Sequence, residues 1–365
     1  HTQQVKKVVS ARTLWVKLLQ NRMETGEPYL MFEDAVNQDL PQFQKKKGLY
    51  VNHSNLCSEI TLATNEERTA VCCLSSVNLE YYDEWSKIPA FIPDLVRMLD
   101  NVLQYFIDNA PEQMERAKYS AMRERSIGLG AMGYHAYLQK NSIPFESLGA
   151  SAANYTMFKH IKEDALEETR RLAVERGACP DDDTCEVRNA HLLAIAPNAS
   201  SSIICGNTSP SIEPFRANAY TQKTKSGSFL QKNKYLEALL DTKDANTEAV
   251  WRDIVSNKGS VQHLEILSEE EKDIFKTAVE INQSWIVEHA AQRQEFVCQS
   301  QSVNLFFPPD VTKGDLHNVH MLAWAKNLKT LYYLRSEAIS RADNVSNQVK
   351  REIIFEQEDC LACEG

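Results

Sequence analysis

Long apolar runs are missing from this sequence. Across its 365 residues none approaches the roughly 18 consecutive apolar positions that a membrane span needs. The N-terminal residues also lack the charged, apolar and small-residue succession of a secretory signal. Positive charge is in deficit: Lys and Arg number 40 against 50 Asp and Glu, for a net charge of -10. Such a balance excludes the basic face of a duplex-coating protein, although one local pocket can still hold a small anion. Internal repeats, low-complexity tracts, and His-x-x-x-His or His-Glu-x-x-His spacings are absent as well. The expectation is a cytoplasmic globular chain that engages neither nucleic acid nor membrane. By length it carries two or three domains and a sizeable core.

What the chain does have is nine cysteines. A chain of this size needs no disulfide framework, so most of them are expected as buried thiols in a reducing compartment. Hydrophobic periodicity predicts helices over 3–24, 91–108, 151–176, 268–293 and 315–335. The second carries an apolar stripe of Leu95, Leu99, Val102 and Phe106. The fourth opens on a capping box, Ser268 with Glu271. Residues 53–60, 69–75, 191–196 and 303–307 read as extended. This mixture predicts an α/β fold.

Several constellations could carry chemistry. In an extended segment alternate residues share a face, which would place Asn55, Cys57 and Glu59 in a row spaced by about 6.6 Å. The amide can hold a hydroxyl, the carboxylate can take a proton, and the thiol can act as a nucleophile or radical carrier. An ordinary strand with one buried Cys accounts for the same residues. Cys72 and Cys73 are adjacent and therefore poorly placed to bond to each other; one of them could pair with a distant thiol, or both could be packing. The loop Asn198-Ala199-Ser200-Ser201-Ser202 suits an oxyanion or a plain Asn/Ser turn. Tyr332-Tyr333 is either amphipathic packing or a one-electron relay. Cys360 and Cys363 lack further ligands at zinc spacing and suit a dithiol on a mobile arm. Gly128 to Gly133 matches G-x-G-x-x-G, but a charged helical stretch precedes it where a dinucleotide site needs an apolar strand. Those glycines are expected to serve close packing.

Taken in order, Asn55-Leu56-Cys57-Ser58-Glu59-Ile60, then Ala70-Val71-Cys72-Cys73-Leu74-Ser75, Pro197-Asn198-Ala199-Ser200-Ser201, Leu331-Tyr332-Tyr333 and a terminal Cys pair resemble the large catalytic subunit of class I ribonucleotide reductases. Thr25-Gly26-Glu27-Pro28-Tyr29 and Ser302-Val303-Asn304-Leu305-Phe306-Phe307 add to the resemblance, which runs through essentially the whole chain. It implies the second half of a ten-stranded α/β barrel over 1–215 with a central catalytic loop around 53–60. An α/β region over 216–340 and a flexible redox tail over 341–365 would follow.

The resemblance also implies roles. Cys57 becomes the thiyl radical that abstracts the ribose 3′ hydrogen, and Glu59 accepts the 3′-hydroxyl proton. Asn55 holds substrate hydroxyls, and Cys72 supplies one reducing thiol. Tyr332 and Tyr333 pass the radical inward. Asn198, Ala199, Ser200, Ser201 and Ser202 bind the diphosphate of a ribonucleoside diphosphate. Cys360 and Cys363 re-reduce the site and are reduced in turn by thioredoxin or glutaredoxin. No cofactor or metal is expected on this chain, because a metal-containing small subunit supplies the radical. Only 54 residues precede Asn55 and none is Cys, whereas the family's partner for Cys72 lies far upstream. The expectation is therefore a C-terminal part, split or truncated, that acts only with an N-terminal part of the large subunit. The alternatives are a cobalamin-dependent class II reductase fragment, which would need no tyrosine relay, and a non-catalytic zinc or scaffold module built on the terminal cysteines.

Overall fold

The computed structural model describes residues 8–224 and 227–336. The tail expected over 341–365, with Cys360 and Cys363, lies outside the described residues. Among the described residues no helix is long and apolar enough to cross a membrane.

Local sequence sets the entry to the structure. Ser10 caps the helix Ala11–Thr25, its hydroxyl accepting from Thr13 N. Gly26 ends that helix in the left-handed region (φ 84°), its N–H donating to Arg22 O. A glycine pays no Cβ penalty there. The chain turns at once into strand β1, Leu30–Met31. The helix Phe91–Asn109 buries Ile92, Val96, Leu99, Leu103 and Ile107, at helical spacing. The predicted stripe shared only Leu99 with this face: Leu95 and Phe106 flank it, half-buried, and Val102 faces solvent.

Parallel backbone organises the centre. Strand β2 (Leu74–Asn78) pairs in parallel with β3 (Gly128–Met132), from Leu74 opposite Gly128 to Asn78 opposite Met132. Residues 191–196 run beside β3 through the Leu129–Leu193 bridge, and 299–303 run beside them through Ile195–Gln301. Strand β6 (Leu305–Phe307) continues the last stave and pairs in parallel with β8 (Leu334–Ser336). The two inner staves, β3 and 192–196, are apolar and buried throughout, as parallel strands covered on both faces should be, whereas 299–302 is a buried polar run, Gln-Ser-Gln-Ser. Gly128 and Gly130 explain the glycine motif: a Cβ on Gly130 would lie 2.5 Å from Ala194 O, and one on Gly128 would lie 2.9 Å from Ala194 Cβ. The staves can approach only because those atoms are missing, which is the packing role expected of them.

Two sequence-predicted helices are interrupted. The run 268–293 divides into Glu269–Ile274 and Gln283–Gln294. Its capping box is present, but Phe275 packs in one hydrophobic cluster while Ala278 and Ile281 pack in another. A straight helix cannot serve both, so the chain crosses between them and restarts at the Asn282 cap. The run 315–335 is helical only within Lys313–Ala325. Beyond it Thr330–Leu331 forms strand β7, antiparallel to β1 with Leu30 opposite Leu331. There the backbone is claimed by neighbouring strands: Tyr332 N donates to Val303 O and Leu305 N to Tyr333 O.

The main core spans Leu19 to Leu334 in sequence. A second, smaller core is confined to Ala219–Phe275 and centres on Trp251, Leu236, Leu240 and Ile254. Beside it lies the hairpin of β4 (Ala219–Thr224) and β5 (Gly227–Lys232). Within the region expected over 216–340 the packing therefore divides, because residues from Ala278 onward return to the first core.

Candidate active site

The segment expected to be extended around Cys57 is a tight loop. Asn55 closes it on itself: its N–H donates to Ile60 O, its Oδ1 accepts from Ile60 N at 3.0 Å, and Ser58 N donates to Asn55 O. Ser58 adopts a left-handed conformation (φ 71°) at the tip. This geometry replaces the even row of alternating side chains. Leu56 is turned out to solvent, while Cys57, Ser58 and Glu59 are all buried. Local side-chain-to-backbone hydrogen bonds of Asn compete well with strand pairing, and here they win.

The loop is fastened to the stave at 299–303. Ser300 N donates to Glu59 O at 2.9 Å. Ser302 Oγ lies 2.5 Å from the Cys57 carbonyl and 3.2 Å from Glu59 Oε2. Burial raises the pKa of Glu59, opposed by hydrogen bonds from its own backbone, Asn55 and Ser302. A carboxylate so placed is a stronger base than an exposed one. Ser302 belongs to the site although its sequence signal was only part of the family resemblance.

Tyr332 hydrogen-bonds to Cys57. It is buried, and its phenol is held above the ordinary range by burial and then by the neighbouring Cys57 and Tyr333. The rings of Tyr332 and Tyr333 are 4.4 Å apart, and Tyr333 is half-buried. A third phenol, Tyr29, joins them; the sequence marked it only as part of the Thr25–Tyr29 segment of the family resemblance. The register of β1 with β7 brings Tyr29 against both, at 4.6 Å from Tyr332 and 4.8 Å from Tyr333. Arg22, fully buried, braces this corner by donating to Pro28 O and Tyr332 O and to His320 Nε2. The chain from surface to thiol thus runs Tyr333, Tyr332, Cys57.

Cys72 and Cys73 part company. Cys73 is buried in the main core with Sγ 3.6 Å from Leu99 O, and burial pushes its thiol up to about 11. Cys72 is exposed. It alternates with Ala70 and Leu74, which pack against Ile60 and Leu62 just beyond the catalytic loop. Cys73 is therefore a packing thiol.

The 198–202 loop also sorts its residues. Asn198, buried and left-handed (φ 51°), donates from Nδ2 to Ser76 Oγ, Ala131 O and Ala196 O. It ties together the ends of β2, β3 and the 191–196 stave. Ser202 turns inward, donating to Ala199 O. Ala199 and Ser200 are exposed and Ser201 is half-buried at the start of the short helix Ala199–Ile204. The exposed backbone and hydroxyls face outward, and the amide is structural.

A family model described as "Ribonucleotide reductase, barrel domain" matches residues 1–184 and 181–334. The ribonucleoside-diphosphate reductase large subunit of Invertebrate iridescent virus 3 is 48% identical over 368 residues, covering 100% of this chain and 58% of that protein. The putative large subunit of Frog virus 3 is 50% identical over 360 residues, covering 98% and 63%. Among solved structures, an Actinobacillus ureae class Id ribonucleotide reductase alpha subunit superposes with a TM-score of 0.85 at 42% identity, covering 90% of this chain and 62% of that one. The chain spans less than two thirds of the length of these relatives. With the thiol and its carboxylate on a loop fastened to one stave and the phenol held beside that same stave, the chain belongs to the ribonucleotide reductase family and carries its α/β barrel domain.

Proposed function

We propose that this chain is the catalytic portion of a ribonucleoside-diphosphate reductase large subunit. The observation that carries the reading is the contact of a buried thiol, Cys57, with a buried phenol, Tyr332, beside a base of raised pKa, Glu59. A hydrogen atom passes from Cys57 to an oxidised Tyr332, leaving a thiyl radical and an intact phenol. The thiyl radical takes the 3′ hydrogen of the ribose while Glu59 takes the 3′-hydroxyl proton. The 2′-hydroxyl leaves as water, and the two electrons come from a pair of thiols of which Cys72 is one. The family places the other upstream of Asn55, and residues 1–54 contain no Cys. Asn55 orients the sugar, and the outward groups of 199–201 take the diphosphate, with Asn198 and Ser202 shaping the loop. Burial of the reacting groups protects the radical from quenching.

On this reading the partners are the N-terminal part of the large subunit, a metal-containing small subunit that generates the radical, and thioredoxin or glutaredoxin acting through Cys360 and Cys363. The Tyr332–Cys57 contact favours class I over a cobalamin-dependent class II enzyme, which needs no phenol at the thiol. The test is conversion of labelled ribonucleoside diphosphate by the complete large subunit with its small subunit. Cys57→Ser should abolish product with substrate affinity retained, and Tyr332→Phe should do the same. Undiminished turnover in Tyr332→Phe, or turnover with cobalamin and no small subunit, would overturn the assignment.

A further inference from the structure

Removing a hydrogen equivalent from Tyr333 releases an electron and a proton. The electron goes to a one-electron oxidant in the small subunit, but the proton needs a base on this chain. Tyr29 is placed against both relay phenols and hydrogen-bonds to Tyr333 and to Tyr332. The Tyr29 hydroxyl in turn donates to Glu27 Oε1 at 3.2 Å. A phenol has one proton and two lone pairs. With its proton given to Glu27, Tyr29 accepts from Tyr333. The line Tyr333, Tyr29, Glu27 is a hydrogen-bonded path from the relay to an exposed carboxylate.

We propose that Tyr29 and Glu27 form the proton outlet of the tyrosine relay. This rests on the relay reading above. When Tyr333 loses its electron, its hydroxyl proton moves to Tyr29 Oη as the Tyr29 proton moves to Glu27. The products are a neutral Tyr333 phenoxyl radical, an unchanged Tyr29 and a Glu27 carboxylic acid. The returning radical equivalent reverses both shifts. Arg335 makes the coupling necessary. Its guanidinium carbon sits 4.1 Å from the Tyr333 ring centroid, and a cation over the ring face disfavours a phenol radical cation. The other charged or ionisable groups around this corner are Arg22, Cys57, Tyr332, Glu213 and Arg216. Glu213 and Arg216 act through Arg335. Tyr332 also hydrogen-bonds to Tyr29 and so joins the same line, and none of the others leads from the relay to solvent.

The experiment uses the complete large subunit with its small subunit. Glu27→Gln and Tyr29→Phe should each lower turnover about a hundredfold, the scale of a lost general base. Their combination should be no worse than either alone, because both break one path. In Glu27→Gln the proton must go to solvent bases, so turnover should rise with buffer-base concentration. In Glu27→Ala, added acetate should restore part of the rate. A positioning role alone would move neither of these readouts. Wild-type turnover in both single variants, or a loss indifferent to buffer and acetate, overturns the outlet. Tyr332→Phe and Tyr333→Phe are run beside them: retained activity there sinks the relay itself, whereas dead relay variants with normal Glu27→Gln and Tyr29→Phe sink only the outlet. Glu27 is exposed, so its substitution leaves the core intact.

Discussion

Ser302→Ala removes one oxygen and should be felt in two quantities. The first is stability. Ser302 is buried, and its hydroxyl lies 2.5 Å from the Cys57 carbonyl. Taking a partner from a buried acceptor costs about 1–3 kcal/mol. The second is the basicity of Glu59. The same oxygen lies 3.2 Å from Glu59 Oε2 and favours the carboxylate form. A serine hydroxyl has one proton to donate, so it is shared between the Cys57 carbonyl and the more distant Glu59 Oε2. Without it, burial acts on Glu59 less opposed, so its pKa should rise further. On the proposed role of Glu59 as a base, activity is present above its folded-state pKa and lost as pH falls through it. The acid limb of the kcat–pH profile should therefore move to higher pH in Ser302→Ala. Burial already raises this group in the folded state, so its ionisation opposes folding. Its contribution to stability is greatest below its unfolded value and is lost as pH rises through the folded one. The assay is steady-state turnover of the assembled enzyme against pH, with thermal unfolding of the same preparation. Ser302→Thr keeps the hydroxyl and should restore the limb. An unmoved limb in Ser302→Ala, with unfolding unchanged, would refute the assignment of Ser302 to both the loop and the base.

Two further predictions follow from the same geometry. Cys72→Ala should stop multiple turnovers, while Cys73→Ala keeps them and lowers only the unfolding temperature. Loss of turnover in Cys73→Ala with normal folding would reverse which thiol is redox-active. Gly130→Ala forces a methyl to within 2.5 Å of Ala194 O, where overpacking costs about 1–3 kcal/mol or more. Urea unfolding should show the drop, and a midpoint equal to wild type would mean that the staves are less tightly apposed.

The family and its candidate residues were legible because they lie in short ordered segments. Asn55, Cys57, Glu59, Cys72 and the tyrosine pair are recognisable without knowing their conformation. Conformation was less legible where partners are remote in sequence. The 53–60 segment alternates like a strand, but the Asn55 amide bonds to Ile60 and folds it into a loop. The run 315–335 has helical spacing, yet Val303 and β1 draw its end into strand pairing. Tyr29 carried no separate signal, because its place beside Tyr332 depends on a register 300 residues away. Asn198 looked like an anion ligand, and only its three donated hydrogen bonds reveal a strut.

The short stave 300–305 touches both halves of the transfer. Ser300 and Ser302 hold the Glu59 and Cys57 carbonyls, while Val303 and Leu305 hold the backbone of Tyr332 and Tyr333. Thiol and phenol are thus referred to one common datum. If hydrogen passes between them as proposed, the separation over which it passes is set by these six residues of backbone.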